Sequence, residues 1–202
     1  MTETAASGSG PINLLVGACG AGAAMVLPDY LMSFQAIARH RVRVVMTHSA
    51  TRILPAATVR LVAEAVYCDG EDSFSPGHVG IAGWADQIIV LPATAHTLGQ
   101  AAHGLAGSLL CSVLLAHQRP VLFFPSMNIR MWRQPSVQRN VEQLRKDGHH
   151  VIDPVMKSCW EIATSTFQVG PALPTPATVV RMVEEAFRAA RPSGDPATDR
   201  RG

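Results

Sequence analysis

The sequence predicts an α/β fold: a Rossmann-like (flavodoxin-like) doubly wound parallel sheet in a single domain. Three observations carry the prediction. Short apolar runs of strand length alternate along the chain with segments whose apolar residues recur at helical spacing, the pattern of strands joined by crossover helices. The strand-like runs hold consecutive apolar residues (LLV, VVM, IIVL, VLFF), as expected of strands in a parallel sheet with helices on both sides. A length of 202 residues suits one domain at about 150 residues each, and it buries a core without needing disulfides.

Taken in order, Ile12–Ala18 (INLLVGA) is the first buried-strand run, and the small residues Gly20–Ala24 turn the chain. Pro28 to Arg39 has helical spacing, with Leu27, Leu31, Phe34, Ile37 and Ala38 on one stripe. Val42–Thr47 (VRVVMT) is the second strand, and a helical segment runs from Ser49 to about Ala65. Cys68–Gly77, rich in Asp, Ser, Gly and Pro, reads as a loop, and Val79–Ala85 as a short helix. Gln87–Leu91 (QIIVL) is the third strand, and Ala95–His117 supplies one or two helices broken near Gly104 or Gly107. Val121–Phe124 is the fourth strand. The next helix starts near Pro135, buries Val137, Val141 and Leu144, and stops at Gly148, where glycine suits the left-handed position after a helix. His149–Ile152 is the fifth strand. Val155–Pro176 shows no clear period and holds Pro171, Pro174 and Pro176, so a flap or long loop is expected over about 155–175. The last helix, Ala177–Ala190, turns Val179, Val183, Ala186 and Phe187 inward, with Glu184 and Arg188 at i,i+4 outside. Residues 1–10 and 191–202 read as disordered tails around a domain spanning 11–190.

Composition narrows the function. Hydrophobic residues make up 48% and charged ones 16%, which excludes a disordered or coiled-coil chain. A net charge of +2, evenly spread, argues against a nucleic-acid or anionic-membrane partner. Cys19, Cys68, Cys111 and Cys159 are never at CxxC spacing or paired with a His at zinc-ligand spacing; free thiols and no metal are expected. The most apolar stretch, Ile88–His117, is interrupted by Pro92, His96, Gln100 and His103 and does not read as a membrane span. Met1–Gly10 has no apolar h-region of a signal peptide, so a cytoplasmic location is expected.

In a parallel sheet, ligands bind beyond the carboxyl ends of strands, and four motifs fall there. Ala18-Cys19-Gly20-Ala21-Gly22 lets backbone N–H groups approach a phosphate, or merely permits a tight turn. Thr47-His48-Ser49 offers two hydroxyls at a helix start, for an anion or as helix caps. No acidic residue closes the second strand as a ribose-binding dinucleotide fingerprint requires, which favours a phosphate monoester. The third motif, Pro92–Thr97, follows strand three. The fourth, Pro125–Trp132 (PSMNIRMW), packs two Met, a Trp, an Asn and an Arg into eight residues, an apolar pocket wall with few polar groups or a core-edge loop. His78 stands between the loop and a short helix, as a base working near neutral pH or as a surface histidine.

Together these residues resemble a family. Pro92-Ala93-Thr94-Ala95-His96-Thr97 is similar to the PASANT motif, and Pro125–Trp132 to the PxMNxxMW motif, of the homo-oligomeric flavin-containing cysteine decarboxylases. His78, fourteen residues before Pro92 and followed by Trp84-Ala85-Asp86, matches that family's active-site histidine. The segment Pro125–Asn140 most resembles the peptidyl-cysteine decarboxylases of lanthipeptide-type peptide biosynthesis. The resemblance implies FMN, or else FAD, in a homotrimer or dodecamer, and a precursor peptide ending in Cys as substrate. It implies His78 as catalytic base and Asn128 as the residue that orients substrate. It places Met127, Asn128, Arg130, Met131 and Trp132 on the recognition wall, and Gly20, Ala21, Gly22, Thr47, Ser49, Ala93, Thr94, Ala95 and His96 on the flavin.

Two departures stand out. His96 replaces the Asn of PASANT, as a substitute donor or as filler, and the family's ADNLL stretch reads Ala106-Gly107-Ser108-Leu109-Leu110. The implied chemistry begins with a base taking the cysteine thiol proton. Hydride transfer from the β-carbon to flavin then leaves a thioaldehyde, an electron sink that lets CO₂ depart and an aminoenethiol form. A phosphopantothenoylcysteine decarboxylase of coenzyme A biosynthesis, or a non-catalytic flavin-binding regulatory relative, are the other readings.

Overall fold

A computed structural model of the chain describes residues 11–38, 40–70, 76–161 and 165–190, without the side chains of Cys159 and Glu161. Six parallel strands form the sheet: β1 (Asn13–Ala18), β2 (Arg41–Met46), β3 (Ala65–Cys68), β4 (Gln87–Ala93), β5 (Leu122–Pro125) and β6 (His150–Val151). Their order is β3-β2-β1-β4-β5-β6, the Rossmann order. The order reverses between β1 and β4, so the connections after these two strands diverge and leave a crevice at their carboxyl ends. The connections carry α1 (Leu27–Ala38), α2 (His48–Thr51), α3 (Ala56–Arg60), α4 (His78–Trp84), α5 (Ala95–Ala102), α6 (Leu109–Ala116), α7 (Ile129–Trp132), α8 (Pro135–Lys146) and α9 (Pro176–Ala189). An antiparallel pair, β7 (Val155–Glu161) and β8 (Thr166–Ala172), precedes α9.

Alternate strand residues feed two cores. Leu14, Val16, Val44, Met46 and Phe124 pack with Leu31 and Phe34 of α1 and Val179 and Val183 of α9. Leu15, Val45, Ile88, Val90 and Phe123 pack with Ile81 of α4, Leu110 of α6 and Val141 and Leu144 of α8. Because both faces are covered, every residue of β4 is buried, which is why Ile88–Leu91 is a continuous apolar run. Each buried large aliphatic side chain contributes roughly 1.5–3 kcal/mol. α8 ends as predicted: Gly148 has φ +89°, its N–H donates to Arg145 O, and His149 N–H reaches back to Leu144 O, a Schellman closure that launches β6.

Several expectations change. The segment expected to be helical from Ser49 to Ala65 is two short helices broken at Pro55, followed by β3, an edge strand of four residues. Ile37 does not join the α1 stripe and is 59% exposed. Tyr30 takes the inward position instead, its hydroxyl donating to Pro174 O at 2.7 Å. The flap expected to be aperiodic is a hairpin with Val155↔Ala172 and Glu161↔Thr166 in register. Most of β8 is exposed, so no in-out alternation marks it in the sequence, and Pro171 is tolerated in a two-stranded pair with open edges. The expected tails 1–10 and 191–202, Arg39 and much of the expected Cys68–Gly77 loop lie outside the described residues.

Candidate active site

The crevice at the switch point is a cavity of about 410 Å³, within the ordinary range for small-molecule sites. The turns after β1, β2 and β4 build it. Thr47 N–H bonds to Ala18 O at 3.0 Å and Cys19 N–H to Pro92 O at 3.2 Å, locking the three turns together. A Cβ added to Gly20 would collide with the Ser49 side chain and come within 2.9 Å of its carbonyl carbon, so only glycine allows this approach. Three helices start at the cavity wall, each capped by a lining hydroxyl. Thr47 Oγ1 accepts from Ala50 N–H (3.3 Å), Thr94 Oγ1 from Thr97 N–H (3.3 Å) and Ser108 Oγ from Cys111 N–H (3.2 Å). A close glycine turn beside capped helix starts is a donor set that fits a phosphorylated cofactor.

Of the residues expected at the flavin, Gly20, Thr47, Ser49, Thr94, Ala95 and His96 line the cavity. Ala21 and Gly22 lead into a 3₁₀ turn, Gly22–Val26, and Ala93 is fully buried in β4; these three do not line it. His96 is exposed on the wall, and Met131 of α7 is the one member of the expected recognition wall that reaches it. Met127 and Trp132 are half-buried against the core under β5, while Asn128 and Arg130 are exposed. Asn128 caps α7, its Oδ1 accepting from Arg130 N–H at 2.7 Å. His78, the first residue of α4, is exposed and does not line the cavity.

Sequence reasoning missed Asp69 and Gln100 as cavity residues; Thr97 closes the expected Pro92–Thr97 motif, and Gly107 and Ser108 are the departures from the ADNLL stretch. Recognising β3 would have flagged Asp69, since it follows the carboxyl end of a parallel strand. Thr97 is buried and bonds both Thr94 Oγ1 and the Cys19 thiol, each at 3.2 Å. Burial pushes the Cys19 thiol up to about 11, so it stays protonated at neutral pH and is no nucleophile. Among the described residues no cluster of three or more metal-ligating side chains occurs, and no helix is long and apolar enough to cross a membrane.

The flavoprotein family model matches residues 3–187. Mersacidin decarboxylase from a Bacillus species is 42% identical over 176 residues, covering 87% of this chain and 90% of that protein. Among solved structures, MrsD from a Bacillus species gives a TM-score of 0.76 at 40% identity, covering 88% of this chain and 96% of that one. An EpiD structure complexed with the substrate peptide DSYTC gives 0.77 at 25% identity, covering 85% and 98%. The FMN-dependent cysteine decarboxylase SpaF gives 0.74 at 30% identity, covering 89% and 97%. A family model spanning most of the chain, and a relative this similar over nearly its whole length, place the chain in the flavoprotein family, among the flavin-containing cysteine decarboxylases.

Proposed function

We propose that this chain is an FMN-dependent peptidyl-cysteine decarboxylase, which oxidatively decarboxylates the C-terminal cysteine of a ribosomally made precursor peptide to an aminoenethiol. The observation that carries the reading is the segment Pro125–Trp132, whose Met131 forms part of a cavity walled by three capped helix starts. The 42% identity to mersacidin decarboxylase and the peptide-bound EpiD relative support a peptide substrate, and SpaF supports FMN over FAD.

Gly20, Thr47, Ser49, Thr94, Ala95 and His96, which line the cavity, would hold the cofactor. When bound, FMN supplies the two-electron acceptor for the cysteine β-carbon. His78 takes the thiol proton, which a cysteine at neutral pH largely retains. Asn128, fixed as a helix cap, orients the substrate, and Arg130 pairs with its carboxylate. Trp160 and Phe167, 53% and 70% exposed on the hairpin, cover the upstream peptide, with β8 packed beside α7. Ser158 and Ser165 stand on the same hairpin, and Thr164 lies outside the described residues.

The exposure of His78 outside the cavity of its own chain supports a homo-oligomer, a trimer or dodecamer, in which neighbouring subunits complete the site. Cys19, Cys68 and Cys111 are buried thiols, in keeping with a reducing cytoplasm. Mass spectrometry on a mixture tests the reaction. Flavin-loaded protein is given Cys-terminated peptides of varied upstream sequence together with phosphopantothenoylcysteine in air. Loss of CO₂ and two hydrogens from a peptide is the expected result. Loss of CO₂ alone from the small molecule overturns the peptide reading in favour of coenzyme biosynthesis, and no change in either favours a binding protein.

A further inference from the structure

Part of the cavity wall comes from Asp69 and Gln100, outside the family motifs, and from Gly107 and Ser108, where this chain departs from the ADNLL stretch, and its chemistry is specific. Asp69, one residue beyond β3, accepts from Leu109 N–H on Oδ1 at 2.9 Å and so ties the sheet edge to the start of α6. Burial pushes the Cys111 thiol up, and its S–H reaches Gln100 Oε1 at 3.1 Å. The Gln100 Nε2 lies so close over Gly107 that a Cβ there would collide with it; the bare glycine is the room that this amide occupies. Ser108 Oγ accepts from Cys111 N–H. Asp69, Gln100, Gly107 and Ser108 line the cavity.

The donor and acceptor inventory then constrains the ligand. The second oxygen of Asp69 can only accept. With Oε1 engaged, Gln100 presents its NH₂ as a donor, and with Oγ accepting, Ser108 presents its O–H as a donor. A phosphate has nothing to donate to the carboxylate and is repelled by it. An apolar ring leaves all three groups unpaired, at a cost. The matching group is uncharged and both donates and accepts along its length, as a chain of adjacent hydroxyls does. The other lining residues at Gly20, Thr47 and Ser49 carry no carboxylate and suit the anion.

We infer that Asp69, with Gln100 and Ser108, binds the hydroxylated ribityl chain of the flavin. This rests on the flavin reading above and adds three binding residues to it. The test titrates the full-length protein, stripped of flavin, with FMN, riboflavin and lumiflavin, following flavin fluorescence. Riboflavin lacks the phosphate, and lumiflavin lacks the hydroxylated chain as well. Asp69→Asn keeps an oxygen for Leu109 N–H but turns the other atom from acceptor to donor. Its expected effect is about tenfold weaker binding of FMN and riboflavin in parallel, with lumiflavin unchanged. Gln100→Ala repeats the pattern with a smaller loss. Unchanged affinity for all three flavins, loss confined to FMN, or an equal loss for lumiflavin overturns the assignment. A wild-type protein that binds none of the three overturns the flavin reading itself, and this inference with it.

Discussion

Around the cavity, polar groups are tied to neighbours: Thr94 to Thr97, Thr97 to the Cys19 thiol, Ser108 to Cys111 N–H, Asp69 to Leu109 N–H. On the β7–β8 hairpin, Trp160 and Phe167 remain largely exposed and stack edge-on across the strands at 5.4 Å. The first region is organised before any ligand arrives, which reduces the ordering cost of binding a resident cofactor. The second keeps large apolar surface in water, a state that gains from being covered and suits a substrate that comes and goes. In the proposed function the contrast ties function to packing: the cofactor held permanently sits on the sheet, and the substrate that turns over is met by an appendage.

Four substitutions or conditions separate the two regions. The largest expected effect is at neither of them: His78→Asn lowers turnover by roughly 10²–10⁴-fold, measured by product mass, while flavin absorbance and oligomer size stay unchanged. Near-normal turnover removes His78 from the role of base. Next, Gly20→Ala forces the β1 and β2 turns apart at Ser49, costing about 1–3 kcal/mol and most of the bound flavin, read by thermal melting and by absorbance of the purified protein. Retained flavin would mean that the turn relaxes freely. Trp160→Ala is expected to raise KM for the peptide about tenfold, with kcat, flavin content and melting temperature unmoved. A lowered melting temperature would make the hairpin part of the scaffold instead.

The smallest separation is by pH. Burial holds His40, His117 and His149 below the usual imidazole range. Glu184 opposes this at His40, Asp86 and the Ala82 backbone at His117, and Asp147 at His149, while His117 is further lowered by Arg119 and His149, and His149 by His150. The unfolded chain therefore binds protons that the folded one refuses, so stability falls as pH drops below about 6.5. Thermal melts between pH 7.5 and 5 should show this loss, and His149→Asn should flatten it. A melting temperature that rises on acidification contradicts the assignment.

Much of the sheet was legible because its strands are buried on both faces. Leu14–Ala18 and Ile88–Leu91 are apolar without interruption, as expected of strands covered on both faces. β3 was not, being four edge residues with only Val66 and Cys68 buried, and the hairpin was not, because exposure on both faces erases alternation. At the site, Thr47, Ser49, Thr94 and Gly20 could be found because a turn after a parallel strand is a local pattern with a known position. Asp69 was hidden with its edge strand β3, and Gln100, within α5, carries no local sign that it faces the cavity.

The sequence alone determined the α/β class, the family motifs and the turns that face the switch point, because hydrophobic period and turn chemistry act over a few residues. Tertiary structure alone decided that Asp69 reaches α6 across forty residues of chain, that Gln100 occupies the space left by Gly107, and that His78 stays outside its own cavity. Those outcomes depend on which strands become neighbours and on the volumes between packed helices, and both are properties of the whole fold rather than of any one segment.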